Sequence, residues 1–132
     1  PELREETNKI FDEMDTYLQD RQRSDAEELI HQIKQRVYTD FHDPNLCVST
    51  IASHFSLNVS YLSRFYKEQT GEGLLEYIQK FRTEKAKGML DGSLNIKEIS
   101  KKVGYENPDT FIRLFKKHEG ITPGRYRRIR QE

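Results

Sequence analysis

A pattern of short helix, turn and second helix occurs twice in this sequence, in register. Ile51 matches Ile99, Ala52 matches Ser100, Phe55 matches Val103, Ser56 matches Gly104 and Leu57 matches Tyr105. After one extra residue in the second turn, Leu62 matches Phe111, Arg64 matches Arg113, Phe65 matches Leu114, Lys67 matches Lys116 and Gly71 matches Gly120. Even Tyr77 and Tyr126 correspond. The agreement falls on apolar positions and turn residues, so the duplicated quantity is a packing unit rather than a composition.

The unit has a physical logic. Two helices that cross steeply over a short turn need a small residue where they approach, supplied by Ala52 and Ser100, and a small or flexible one at the turn, supplied by Ser56 and Gly104. Leu57, Leu62 and Phe65 in the first unit, and Tyr105, Phe111 and Leu114 in the second, are expected to lock the second helix inward. The opposite face of that helix is then free. This is the helix-turn-helix arrangement, whose second helix can enter a DNA major groove about 12 Å wide. A single match would say little, because helical hairpins are common; two in register, joined by one helix, are specific.

The spacing predicts an all-α fold, with no period-2 alternation long enough for a strand. Residues 1–26 read as an acidic linker helix whose seam runs Leu3, Thr7, Ile10, Met14, Tyr17, at the three-and-four spacing of a short coiled coil. A homodimer through residues 3–18, or packing on the domain or on upstream sequence, would cover it. Ser24-Asp25-Ala26-Glu27 looks like an N-cap with acids in the first turn, so a new helix is expected there, stopped by His42-Asp43-Pro44-Asn45. Residues 27–73 form the first helix-turn-helix subdomain, 74–91 a bridging helix, and 92–132 the second subdomain with a basic C-terminal tail. The bridging helix, Leu74 to Leu90, holds 17 residues, or roughly 26 Å at about 1.5 Å per residue. Gly88 inside it costs about 1 kcal/mol relative to Ala.

Charge divides the chain. Residues 1–43 carry 6 Lys and Arg against 12 Asp and Glu, and residues 44–132 carry 16 against 10. The two parts therefore have different partners: an acidic segment repels phosphate, whereas a cationic surplus in a small domain is a footprint for nucleic acid. Other classes lack their parts. No window approaches the roughly 18 apolar residues of a membrane span. A single Cys47 forms no internal disulfide, and His31, His42, His54 and His118 have no metal-ligand spacing with it or with each other. There is no Gly-rich phosphate loop, no nucleophile beside a glycine elbow, and no acid pair in an apolar setting. No catalysis, cofactor or metal is expected. Cys47 is expected to be buried, and His54 and His118 exposed.

The stretch from about Ile33 to Arg130 resembles the AraC/XylS-type DNA-binding domain. The later signature of that family stands here as Ile96, Ile99, Ser100, Val103, Gly104, Tyr105, Phe111, Phe115, Lys116, Lys117, Gly120, Thr122, Pro123, Tyr126 and Arg127, and its bridging motif as Tyr77-Ile78, Arg82, Ala86 and Leu90. Ser100 stands for the usual Ala and Tyr105 for Phe, while Thr110 and Ile112 occupy places often held by Tyr and Ser. The resemblance implies two helix-turn-helix units bridged by a long helix, and double-stranded DNA as partner. It further implies RNA polymerase as a second partner, activation rather than repression, a bacterial cytoplasmic, nucleoid-associated setting, and an upstream sensor or receiver domain beyond this chain. A rival reading is an all-α protein-interaction module without specific DNA binding.

On the DNA reading, Arg64 and Arg113 are the leading base-reading candidates, since a guanidinium donates two bonds to guanine O6 and N7. Arg64 could instead pair with Glu68. Ser60, Ser63, Asp109 and Ile112 share the reading faces, Ile112 facing a thymine methyl. Lys67, Lys116, Lys117, Thr110 and Arg127 are phosphate candidates. Asn58 and Asn107 open the reading helices, where they could cap, meet a phosphate, or both. Tyr61, Phe65, Tyr66, Phe81, Phe111 and Phe115 are expected in the core rather than stacked on bases. The run Arg125-Tyr126-Arg127-Arg128-Ile129-Arg130 either touches DNA backbone or is a solvated tail.

Overall fold

A computed structural model describes residues 2–131, with side chains from residue 13 onward. Its described residues form helices only: α1 (Glu2–Asp40), α2 (Val48–His54), α3 (Val59–Thr70), α4 (Leu74–Leu90), α5 (Ile96–Lys102), α6 (Pro108–Glu119) and α7 (Pro123–Gln131). The chain divides into two compact units, residues 1–33 and 34–132.

The first unit is helical from Glu2 onward, and α1 does not break at Ser24 as the capping pattern predicts. Residues 2–40 contain neither glycine nor proline. Ser24 therefore remains an interior helix residue, at a cost of a few tenths of a kcal/mol, too little to outweigh the hydrogen bonds on either side. Of the predicted seam, Leu3, Thr7 and Ile10 lie outside the described side chains. Met14 and Tyr17, together with Leu18, are more than half exposed.

The second unit contains both repeats. In each, a backbone N–H beyond the turn reaches back to the small residue of the short helix: Leu57 N donates to Ala52 O at 2.8 Å, and Tyr105 N to Ser100 O at 2.9 Å. Ala52 and Ser100 are both buried, as close helix approach requires. Ser100 Oγ donates to Tyr105 O at 3.2 Å, so the buried serine hydroxyl is paired. The turn residues share a left-handed backbone, with φ of 55° at Ser56 and 98° at Gly104. Matching geometry at matched positions makes the repeat structural.

α4 packs against α3, α5, α6 and α7. Around the second repeat, Ala86, Leu90, Ile99, Val103, Phe111 and Phe115 form a buried cluster, flanked by Phe41, Met89, Leu94 and Tyr126. In the first repeat Ile51, Ala52, Leu62 and Tyr66 are buried, and on α4 so are Leu74 and Ile78. The inward residue of α3 is thus Tyr66, one turn beyond Leu62, whereas Phe65 is only half-buried. Tyr66 is the repeat equivalent of the fully buried Phe115.

The C-terminal run is not a tail. Thr122 O accepts from Tyr126 N at 2.9 Å, Thr122 Oγ1 accepts from Arg125 N at 3.2 Å, and Pro123 opens α7. Proline suits the first helical position because its missing N–H would find no intrahelical partner there.

Candidate nucleic-acid interface

Both reading helices start on an asparagine. Asn58 Oδ1 accepts from Ser60 N at 2.8 Å and Tyr61 N at 3.3 Å, and Asn107 Oδ1 accepts from Asp109 N at 2.9 Å. The capping role anticipated for both residues is therefore met by the side-chain oxygen, leaving the amide NH2 on an exposed residue. Both helices end on a left-handed glycine, Gly71 and Gly120.

With Leu62 and Tyr66 turned inward on α3, a 100° step per residue puts Arg64 at the centre of the outward face, with Ser60 and Lys67 beside it. Phe111 and Phe115 fix α6 in the same way, with Arg113 central and Asp109 and Lys116 beside it. Ser60, Ser63, Arg64, Lys67, Asp109, Arg113, Lys116 and Lys117 are all exposed. Among the described residues Arg64 makes no ion pair, so the Glu68 alternative does not form. Arg113, Lys67, Lys116 and Lys117 are equally free of acidic partners. A cation without an intramolecular partner keeps its full charge and donors for an incoming anion.

The two faces differ. Glu68 on α3 corresponds to Lys117 on α6, which makes the second face the more cationic towards its C-terminal end. Asp109 lies in the first turn of α6, where the helix dipole favours a carboxylate. Ile112 and Thr110 are half-buried, and Ile112 packs against the buried cluster of the second repeat, so only part of each side chain faces outward.

Tyr61 lies where sequence reasoning does not put it. It is 49% exposed, stacked on Phe65 with ring centroids 5.9 Å apart, and lines a shallow cleft with Arg64, Phe65 and Glu68. Periodicity could have found it, since Tyr61 falls 100° from Leu62 and 140° from Tyr66. Phe81 is likewise half-buried, edge-on to Tyr38 and tilted against Phe41.

Arg127 does not stand free for phosphate. Its Nε donates to Leu90 O at 3.0 Å and its Nη2 to Leu94 O, so the guanidinium ties the end of α4 to the loop before α5. Arg130 is paired with the Asp91 carboxylate, Nε to Oδ1 at 2.9 Å and Nη2 to Oδ2 at 3.2 Å. Exposed Arg125 and Arg128 remain from the predicted basic run. His118 is half-buried rather than exposed: its Nε2 lies 2.9 Å from Gln79 Oε1. Burial, then the neighbouring Lys117 and Lys80 charges, hold its pKa below the ordinary value. His54 is exposed and Cys47 half-buried, with Sγ 3.1 Å from Ser49 Oγ, a contact that lowers the thiol pKa. No three His, Cys, Asp or Glu side chains are grouped to hold a metal ion among the described residues, and no described helix is long and apolar enough to cross a membrane.

Paired helix-turn-helix units with outward cations on both second helices define a DNA-binding domain of the two-unit type. The helix-turn-helix domain family model matches residues 51–129, and the chain belongs to this AraC-type family of bacterial transcription regulators. It is 33% identical over 121 residues to the uncharacterized HTH-type transcriptional regulator YtdP of Bacillus subtilis, covering 91% of this chain and 16% of that protein. The chain thus spans about a sixth of that relative's length. Among solved structures, the C-terminal domain of AraT, a response regulator from Geobacillus stearothermophilus, aligns with a TM-score of 0.74 and 31% identity over 76% of this chain and 84% of that one. The C-terminal domain of the two-component response regulator yesN from Fusobacterium nucleatum aligns with a TM-score of 0.71 and 35% identity, covering 78% and 98%.

Proposed function

We propose that this domain binds double-stranded DNA sequence-specifically by seating α3 and α6 in successive major grooves, as the output module of a bacterial transcription regulator. The observation that carries this reading is the equivalence of Arg64 and Arg113, each central on the outward face of its reading helix, exposed, and free of an acidic partner. Duplex DNA repeats its groove about every 34 Å, and α4 is a stiff spacer between units whose chain order, rather than a dimer axis, dictates the site. One chain then reads an asymmetric sequence.

Within that reading Arg64 and Arg113 contact base edges, with Ser60, Ser63, Asp109 and Ile112 around them. Lys67, Lys116, Lys117, Asn58, Asn107 and Thr110 contact phosphates. Arg127 leaves this group, because its donors are spent on Leu90 and Leu94. Residues 1–26 serve as the linker to an upstream sensor or receiver domain, and exposed Met14 and Tyr17 support a homodimer through that helix. The whole regulator acts in the cytoplasm, has no enzymatic step in this segment, and activates transcription by contact with RNA polymerase, a role supported by the family's place in transcription.

A binding selection on randomised duplexes tests the proposal. Affinity for the selected site should fall with salt, log K against log[salt] dropping by about 0.9 per phosphate neutralised. Arg64→Ala should relax preference at one position of that site. An unchanged preference with uniformly weaker binding would make Arg64 a phosphate contact instead.

A further inference from the structure

One buried guanidinium touches both reading units. Arg82, in the middle of α4, is 6% exposed, and no carboxylate pairs with it among the described residues. Its Nε donates to Phe41 O at 3.0 Å, and its Nη2 donates to Asp43 O at 2.9 Å and to Leu46 O at 3.4 Å. These carbonyls belong to the segment between α1 and Cys47, the residue that opens α2 of the first unit. The other side of the same group meets the turn of the second unit. Its Cζ lies 5.0 Å from the centroid of the Tyr105 ring, and a β-carbon on Gly104 would come within 2.9 Å of it.

Arg127 provides the contrast. Leu46 and Leu94 are repeat equivalents, and each carbonyl accepts from an Nη2, of Arg82 and Arg127 respectively. Arg127 lies on α7 and reaches the C-terminal end of the bridging helix α4 and the loop that opens α5, both on the second unit's side. Arg82 alone of this pair spans from the entry of the first unit to the turn of the second. The planar guanidinium is what makes this possible, since its edge donates hydrogen bonds while its face packs on an aromatic ring.

We propose that Arg82 is a positioning residue that fixes the angular phase between the two helix-turn-helix units, and so sets the half-site spacing at which both reading helices engage DNA together. The inference rests on the proposed function above. Adding one base pair between half-sites rotates the second groove by about 35° and displaces it along the axis, so a rigid joint tolerates one spacing and a loosened joint several.

The test uses the full chain and duplexes carrying both selected half-sites with the natural spacer, one base pair fewer, and one or two more, alongside duplexes with each half-site alone. The unaltered chain should prefer one spacer by tenfold or more. Arg82→Lys keeps a charge but loses the planar edge and face; it should flatten that preference to within threefold while single half-site affinities stay within twofold. Should Arg82→Lys fail to fold, as judged by its helical circular dichroism and melting, Tyr105→Leu removes the ring under the guanidinium and leaves the carbonyl staple. That variant should also flatten the preference, and Tyr105→Phe should restore it. Retention of the tenfold preference by both Arg82→Lys and Tyr105→Leu, or an equal loss on single half-sites and on every spacer, would overturn the proposal. An unaltered chain that binds no duplex with a salt-dependent slope would overturn the DNA reading itself, and the phasing role with it.

Discussion

A β-carbon on Gly104 would collide with the carbonyl oxygen of Phe41, 63 residues earlier in the chain. The colliding group is backbone and sits where the Arg82 guanidinium is already bonded, so it has no freedom to move aside. Gly104→Ala also places an L side chain at a φ of 98°. Overpacking and left-handed strain together should cost about 2–5 kcal/mol, read as a drop in the denaturant midpoint. At the equivalent Ser56, with a φ of 55°, Ser56→Gly relieves strain and should change stability by no more than about 1 kcal/mol, in the stabilising direction.

Gly88 is exposed in the interior of α4, and nothing lies within 4 Å of where its β-carbon would be. Gly88→Ala should stabilise the domain by about 1 kcal/mol, because only the unfolded chain's freedom and helix propensity change. Thermal unfolding checks the direction; DNA affinity should be unaltered.

Tyr105 Oη is buried without a hydrogen-bond partner. Tyr105→Phe removes a buried oxygen that is compensated by the nearby Arg82 and Arg113 charges rather than by a well-formed hydrogen bond, and should change stability by no more than about 1 kcal/mol. Chemical denaturation of the two proteins side by side measures it.

The neutral form of His118 is favoured in the folded chain, chiefly by burial and then by Lys117 and Lys80. A histidine whose folded pKa is below its unfolded value takes up protons more readily when unfolded. Its contribution is thus present above pH 6.5, the ordinary histidine value, and is lost as pH falls through and below it. His118→Gln should lessen the decline in melting temperature between about pH 7.5 and 5.5. An identical decline in both proteins would assign the pH dependence to other groups.

The cationic groups separate into two kinds. Lys116→Ala and Lys117→Ala should each reduce the salt slope of duplex binding by about 0.9 with little effect on stability. Arg127→Met should leave the slope unchanged and destabilise the fold by about 1–3 kcal/mol, because Leu90 O and Leu94 O lose their donor. Salt titrations and melts on the same three variants distinguish the roles.

What could be read in the sequence was whatever local patterns determine. The bridging helix coincides with α4, Leu74 to Leu90, because Gly73 and the Asp91-Gly92-Ser93 stretch bound a 3.6-period run. Asn58 and Asn107 cap as their side chains dictate. What local patterns leave open depends on distant partners or on one-residue register. Ser24 has cap chemistry but no neighbouring breaker, so α1 continues through it. Tyr66 rather than Phe65 is the buried partner of Leu62; the two lie about 40° and about 60° from Leu62 on opposite sides, a choice that apolarity alone does not resolve. α7 was signalled by Thr122 and Pro123 but obscured by its arginines, which look solvated until Leu90, Leu94 and Asp91 are brought beside them by the fold. The double role of Arg82 joins residues 36 to 41 positions apart with the turn at 104–105, a relation no local pattern encodes.

Hydroxyl-radical footprinting of the full chain on its selected duplex tests the central claim most directly. Simultaneous seating of α3 and α6 predicts protection on one face of the helix over two consecutive major grooves, shrinking to one groove for Arg64→Ala combined with Ser60→Ala and Ser63→Ala. Protection confined to a single groove in the unaltered chain, or none at any concentration, would contradict it.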